Sequence, residues 1–186
     1  MKKIALLFSD SLQELRKTRS LAVTAMLLAI AVILGFLAVQ VTESIKISFA
    51  FLVDELVGML FGPAVGAVFG AVDDFLKYIV KPTGPYFPGF MISEMLTAMI
   101  YGLFLYKRPI RLTRIIAANT TVTVFVNMLL NTLWLTMLYG SAFAVIFPAR
   151  VVKELILLPV NIAMFYILSR MLEKAKVFRT VQGQQR

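Results

Sequence analysis

Five apolar runs, each near the roughly 20 residues that a helix needs to cross a bilayer, dominate the chain: Leu21–Val39, Ala64–Val80, Phe87–Tyr106, Ile115–Tyr139 and Val151–Leu168. Backbone amides in hydrocarbon must be bonded within their own segment, so such runs fold as helices. A shorter run, Ile47–Phe61, carries Asp54 and Glu55 at its middle, and Phe61-Gly62-Pro63 separates it from the next. Gly and Pro punctuate helices, so these two runs read as a tight helical hairpin. The expected fold is an all-α integral membrane protein of six transmembrane helices.

Lys and Arg gather in cytoplasmic loops, which gives an orientation. Of 19 such residues, 14 fall in three segments: the N-terminal stretch (Lys2, Lys3, Arg16, Lys17, Arg19), the loop after span four (Lys107, Arg108, Arg111, Arg114) and the tail (Arg170, Lys174, Lys176, Arg179, Arg186). Four spans and then two separate these segments, so all three lie on one side and both termini are expected to be cytoplasmic. Ile4–Phe8 is too short for the apolar core of a signal peptide and Asp10 follows it. Ile4, Leu7, Phe8, Leu12 and Leu15 recur at helical spacing instead, the pattern of an interfacial helix, with a frayed basic leader as the alternative. The expected organisation is a leader over 1–19, a membrane domain over 20–172 and a basic tail over 173–186.

Cysteine and histidine are absent. Disulfide frameworks, thiol nucleophiles, Ser-His-Asp triads and His-based metal sites are thereby excluded. The sequence has no Walker A or dinucleotide motif and no metal-ligand cluster, so no cofactor or metal is expected. The net charge of +9 does not make a nucleic-acid surface, because membrane spans divide the cations.

The remaining cations, Lys46, Lys77, Lys81, Arg150 and Lys153, and seven of the ten acids (Glu43, Asp54, Glu55, Asp73, Asp74, Glu94, Glu154) fall at mid-membrane or outward in this topology. Ionisable groups at bilayer depth normally face an aqueous cavity or one another. Asn127, Asn131 and Trp134 at i, i+4, i+7 are expected on one helical face. Arg150, Lys153 and Glu154, at i, i+3, i+4, fall in the first two turns of span six; Asp73, Asp74 and Lys77, at i, i+1, i+4, make a similar cluster late in span three. The linker Lys81–Pro88 holds three prolines with Tyr86 and Phe87, a composition suited to a stiff lid. An outward-facing pocket unites these features, and Arg150 with Lys153, offset only by Glu154, suits an anionic ligand. Each element also has a plainer use: Asn pairs tie helices together, Trp134 suits an interfacial belt, and Asp73, Asp74 and Lys77 can neutralise one another.

Small residues make a second pattern. Ala22, Ala25 and Ala29 lie on span one, with Ala25 and Ala29 in the small-xxx-small spacing that lets helices approach, and Gly58, Gly62, Gly66 and Gly70 repeat every four residues along the hairpin.

Six short spans, Ala25-xxx-Ala29, the run Gly58-Met-Leu-Phe-Gly62-Pro63-Ala-Val-Gly66 followed by Asp73-Asp74, and the segment Pro85-Tyr-Phe-Pro-Gly89 resemble the substrate-binding S components of energy-coupling factor (ECF) vitamin transporters. Asn131-Thr-Leu-Trp134 and Pro148-Ala-Arg150-Val-Val-Lys153-Glu154, with Pro159 and Asn161 beyond, are similar to the folate-specific members. The resemblance implies a bacterial cell-membrane protein with the S-component fold. It captures folate or a reduced folate outside and works with a transmembrane coupling subunit and two ATPase subunits, so it is not itself an enzyme. It places the coupling subunit against Ala22, Ala25 and Ala29. For the ligand it implies Asn127, Asn131 and Glu154 at the pterin edge, Trp134, Tyr86 and Phe87 stacking, and Arg150 with Lys153 on the glutamate, with Asp73 and Lys77 nearby. Two roles cross over equally well: Lys153 on a pterin acceptor, and Lys77 or Lys81 on the glutamate. The competing functions are an S component for another vitamin, an intramembrane enzyme using Asp73 and Asp74, and a non-binding scaffold.

Overall fold

A computed structural model describes residues 2–42, 45–82, 84–140 and 142–177. Glu43 and the tail cations Arg179 and Arg186, to which the charge pattern gave roles, lie outside them. Seven helices form among the described residues: α1 (Lys2–Glu14), α2 (Thr18–Phe36), α3 (Phe51–Phe61), α4 (Pro63–Val80), α5 (Pro88–Leu105), α6 (Leu112–Tyr139) and α7 (Phe143–Lys174). Of these, α2, α5, α6 and α7 are long and apolar enough to cross a membrane.

Three boundaries differ from the sequence reading. The first apolar run ends as helix at Phe36, and Val39–Thr42 (β1) pairs antiparallel with Ile45–Ile47 (β2). The fold is thus helical apart from this ribbon, whose β-branched residues suit a strand. The run from Ile47 is helical only over the 11 residues of α3. The last helix begins at Phe143 rather than Val151, with Pro148 and Pro159 inside it. Arg150, Lys153 and Glu154 therefore sit deeper in that helix than its first two turns.

Glycine sets the packing of the hairpin. A Cβ at Gly58 would lie 2.5 Å from the Ala98 carbonyl oxygen, and one at Gly70 2.5 Å from that of Glu94. The backbones of α3 and α4 therefore rest directly on α5, as small residues permit. Gly62 turns the corner with φ +89°, a conformation that favours glycine.

That corner is held from elsewhere in the chain. Gly62 has no side chain with which to cap α4, whose first amides need an acceptor. Ser11 of α1, fully buried, provides it: its Oγ accepts from the amides of Ala64 and Val65, both at 3.0 Å, and donates to the Phe61 carbonyl at 2.7 Å. Glu14 accepts from Ser20 at 2.7 Å, and Asp10 pairs with Lys107 at 2.9 Å. The N-terminal helix is thereby bonded to the hairpin corner and to the α5–α6 loop.

Candidate functional site

Between the α3–α5 hairpin layer and the α6–α7 pair lies a cavity of about 510 Å³, within the 300–1,000 Å³ usual for a small-molecule site. One wall carries Asp54 from α3, Asp74, Lys77 and Tyr78 from α4, and Phe90 and Glu94 from α5. The facing wall carries Asn127, Asn131 and Leu135 from α6 and Arg150, Lys153, Glu154 and Asn161 from α7. Tyr86 and Phe87 line it from the linker, and Lys81 from the end of α4. Four cations, Lys77, Lys81, Arg150 and Lys153, thus face four acids, Asp54, Asp74, Glu94 and Glu154, around one space. Ionisable groups gathered about a cavity in this way are costly in an apolar bundle unless a polar occupant or mutual pairing satisfies them.

The facing wall is a connected polar chain. Glu154, nearly fully buried, accepts from Lys153 Nζ at 3.0 Å and from Asn127 Nδ2 at 3.3 Å. Asn127 Oδ1 in turn accepts from Asn131 Nδ2 at 3.4 Å. An ionised carboxylate only accepts, so Glu154 fixes the direction of both amides. The chain ends on Asn131 Oδ1, buried and with no donor among the described residues. Buried Arg150 donates Nη2 to the Asn127 carbonyl at 3.0 Å.

The backbone of α6 explains this arrangement. Residues Val122–Leu130 form a π-helix, closing with the Asn131 amide on the Val126 carbonyl. Such segments recur at functional sites. The wider turn keeps Asn127 and Asn131 together on the cavity while rotating Trp134 off their face. The α-helical spacing had put all three on one face; Trp134 instead stands behind the cavity wall, its ring 5.8 Å from that of Phe87.

The acidic wall divides similarly. Asp73 is buried behind the cavity and bonds the Lys77 ammonium, whereas Asp74 lines the space. Asp54 faces the cavity and its neighbour Glu55 faces the core, beside Tyr101 and Asn119. Of the ligand residues named from sequence, Arg150, Lys153, Glu154, Asn127, Asn131, Tyr86, Phe87 and Lys77 converge on the cavity, and Asp73 and Trp134 do not. Asp74 belongs to it, as the pocket reading of its helix expects, and Asp54 and Glu94 belong to it without having been assigned a ligand role; a carboxylate within an apolar run is the signal that marks each. Phe49, Tyr78 and Phe90 carry no such mark. On α2, Ala22, Ala25 and Ala29 all lie exposed, away from the cavity.

Residues 19–169 match the family described as ECF transporter, substrate-specific component. The folate transporter FolT of Clostridium novyi (strain NT) is 38% identical over 146 residues, 78% of this chain and 84% of that protein. FolT of Leuconostoc mesenteroides subsp. mesenteroides is 31% identical over 157 residues, covering 81% and 84%. A crystal structure of FolT bound with folic acid shares the fold at a TM-score of 0.78 with 35% identity, over 83% of this chain and 95% of that one.

Proposed function

Because the chain belongs to the substrate-specific components of ECF transporters, a multi-pass membrane family, we propose that its cavity binds folate or a reduced folate. Relatives along most of its length are folate transporters, and the cavity offers complementary chemistry. The observation that carries the reading is the directed chain from Glu154 through Asn127 to Asn131, which ends in a buried acceptor. A pterin edge presents adjacent N–H donors to such a row of acceptors. Its flat faces suit Tyr86 and Phe87. Arg150 and Lys153, bonded to Asn127 and Glu154, reach a pterin acceptor from the same edge, and the terminal glutamate, a dianion, takes Lys77 or Lys81 across the cavity through charge-assisted bonds. Asp73 holds Lys77 from behind the opposite wall, and Trp134 backs Phe87.

In the proposed arrangement α2 to α7 make six spans with both termini cytoplasmic, in a bacterial cell membrane, and the cavity opens outward. Ligand delivery then depends on a transmembrane coupling subunit and two ATPases, and the exposed alanines of α2 form the coupling face. Equilibrium binding of labelled folate to detergent-purified protein tests the reading. Saturable binding below micromolar concentration is expected; its absence for both folate and reduced folates overturns the assignment.

A further inference from the structure

Phe87 is one of two linker aromatics on the cavity, and its surroundings are built to hold its ring in place. Pro88 follows it, and a residue before proline is driven toward extended backbone; Phe87 has φ −131° and ψ 115°. Gly89 comes next. A Cβ there would lie 2.5 Å from Phe87 Cε1 and 2.6 Å from Trp134 Cδ2, so only glycine leaves room for the two rings to meet. Trp134 backs the Phe87 ring at 5.8 Å with a 46° tilt, and Phe90 meets it edge-on at 6.1 Å. An indole N–H in an apolar bundle needs an acceptor, and Ser93 Oγ, 1% exposed, supplies it at 3.0 Å.

We propose that Gly89, Ser93 and Trp134 are positioning residues that fix Phe87 as the aromatic platform of the cavity. The proposal rests on the folate reading for the identity of what stacks on that platform. Trp134 then contributes to specificity without touching the ligand. Ser93 orients the indole, the indole orients Phe87, and Gly89 keeps the path between them clear. A ligand with a flat ring benefits because Phe87 is already oriented when it arrives, which reduces the ordering cost of binding.

The test uses the full chain in detergent. Trp134 is the sole tryptophan, so its emission reports this contact alone. Ser93→Ala should shift the emission of ligand-free protein and weaken folate affinity by about 3- to 10-fold, the range for one lost buried hydrogen bond. Gly89→Ala should weaken it further. On a Phe87→Leu background, Ser93→Ala should cost nothing more, since its effect passes through that ring; an equal loss on both backgrounds would overturn the proposal, because a general packing defect ignores Phe87. Unchanged Trp134 emission in Ser93→Ala overturns it as well, whatever the parent binds. Failure of the parent chain itself to bind folate, with the emission shift present, overturns the folate reading and supports the positioning.

Discussion

Replacing Arg150 with Met removes a cation from the proposed pterin edge while keeping most of the side-chain volume. Arg150 is 7% exposed, so a ligand acceptor meets it largely out of water. A hydrogen bond to a charged partner contributes about 1.5–3 kcal/mol, which converts to a loss of about 10- to 150-fold in affinity. The ligand-free protein should respond differently. Arg150→Met loses the 3.0 Å bond to the Asn127 carbonyl, about 1.5–3 kcal/mol for a charged donor, but also relieves the burial of a guanidinium. These effects oppose, so the ligand-free melting temperature should stay within about 4 °C of the parent. Ligand at 100 times the parent Kd stabilises the parent by about 2.7 kcal/mol and the variant by only about 0.3–1.4 kcal/mol. Equilibrium dialysis with labelled folate and melting curves with and without ligand measure both effects. A Kd within about twofold of the parent would refute the assignment of Arg150 to the ligand.

Other consequences follow from packing and from the coupling face. Gly70→Leu drives a side chain into the Glu94 backbone and should lower stability by at least about 1–3 kcal/mol, whereas Gly35→Ala, whose nearest neighbour is the flexible stem of Lys77 at 3.2 Å, should melt close to the parent. Ser11→Ala uncaps α4 and should cost about 0.5–2 kcal/mol with folate affinity unchanged; melting in detergent and equilibrium binding separate the two. Ala25→Trp places bulk on an exposed alanine of α2 and should abolish folate uptake by cells carrying the coupling module while leaving binding intact; normal uptake would remove this face from the coupling interface.

Much of this was legible in the chain itself where physics is local. Gly62-Pro63 marks a corner because glycine reaches the positive φ that the turn needs and proline suits the first position of the next helix, and Asp54 or Glu94 marks a cavity because hydrocarbon tolerates neither. The four-residue glycine repeat likewise announces close helix contact. Trp134 was misplaced because a π-turn changes the angular spacing along α6, and neither Val122 nor Leu130 carries a side chain that betrays it. The late start assigned to the last helix came from reading its extent off the apolar run Val151–Leu168, whereas the helix continues upstream through Arg150 and Pro148 to Phe143. The Ser11 cap was the least visible, since its partners lie far along the chain and a serine beside Leu7, Phe8 and Leu15 looks like a weak point in an apolar face.

The span of that cap orders events during synthesis. Ser11 is made first, yet its acceptor and donors lie 50 to 54 residues later. At about 5–20 residues per second, roughly 3–10 s pass between the emergence of Ser11 and that of the corner it closes. Through that interval the Ser11 hydroxyl lacks the partners it has in the fold, and α2 is complete before the hairpin that packs beside it is made. Docking of α1 therefore reports that α3 and α4 have reached their places, and a truncated leader would leave the Gly62 corner without its cap.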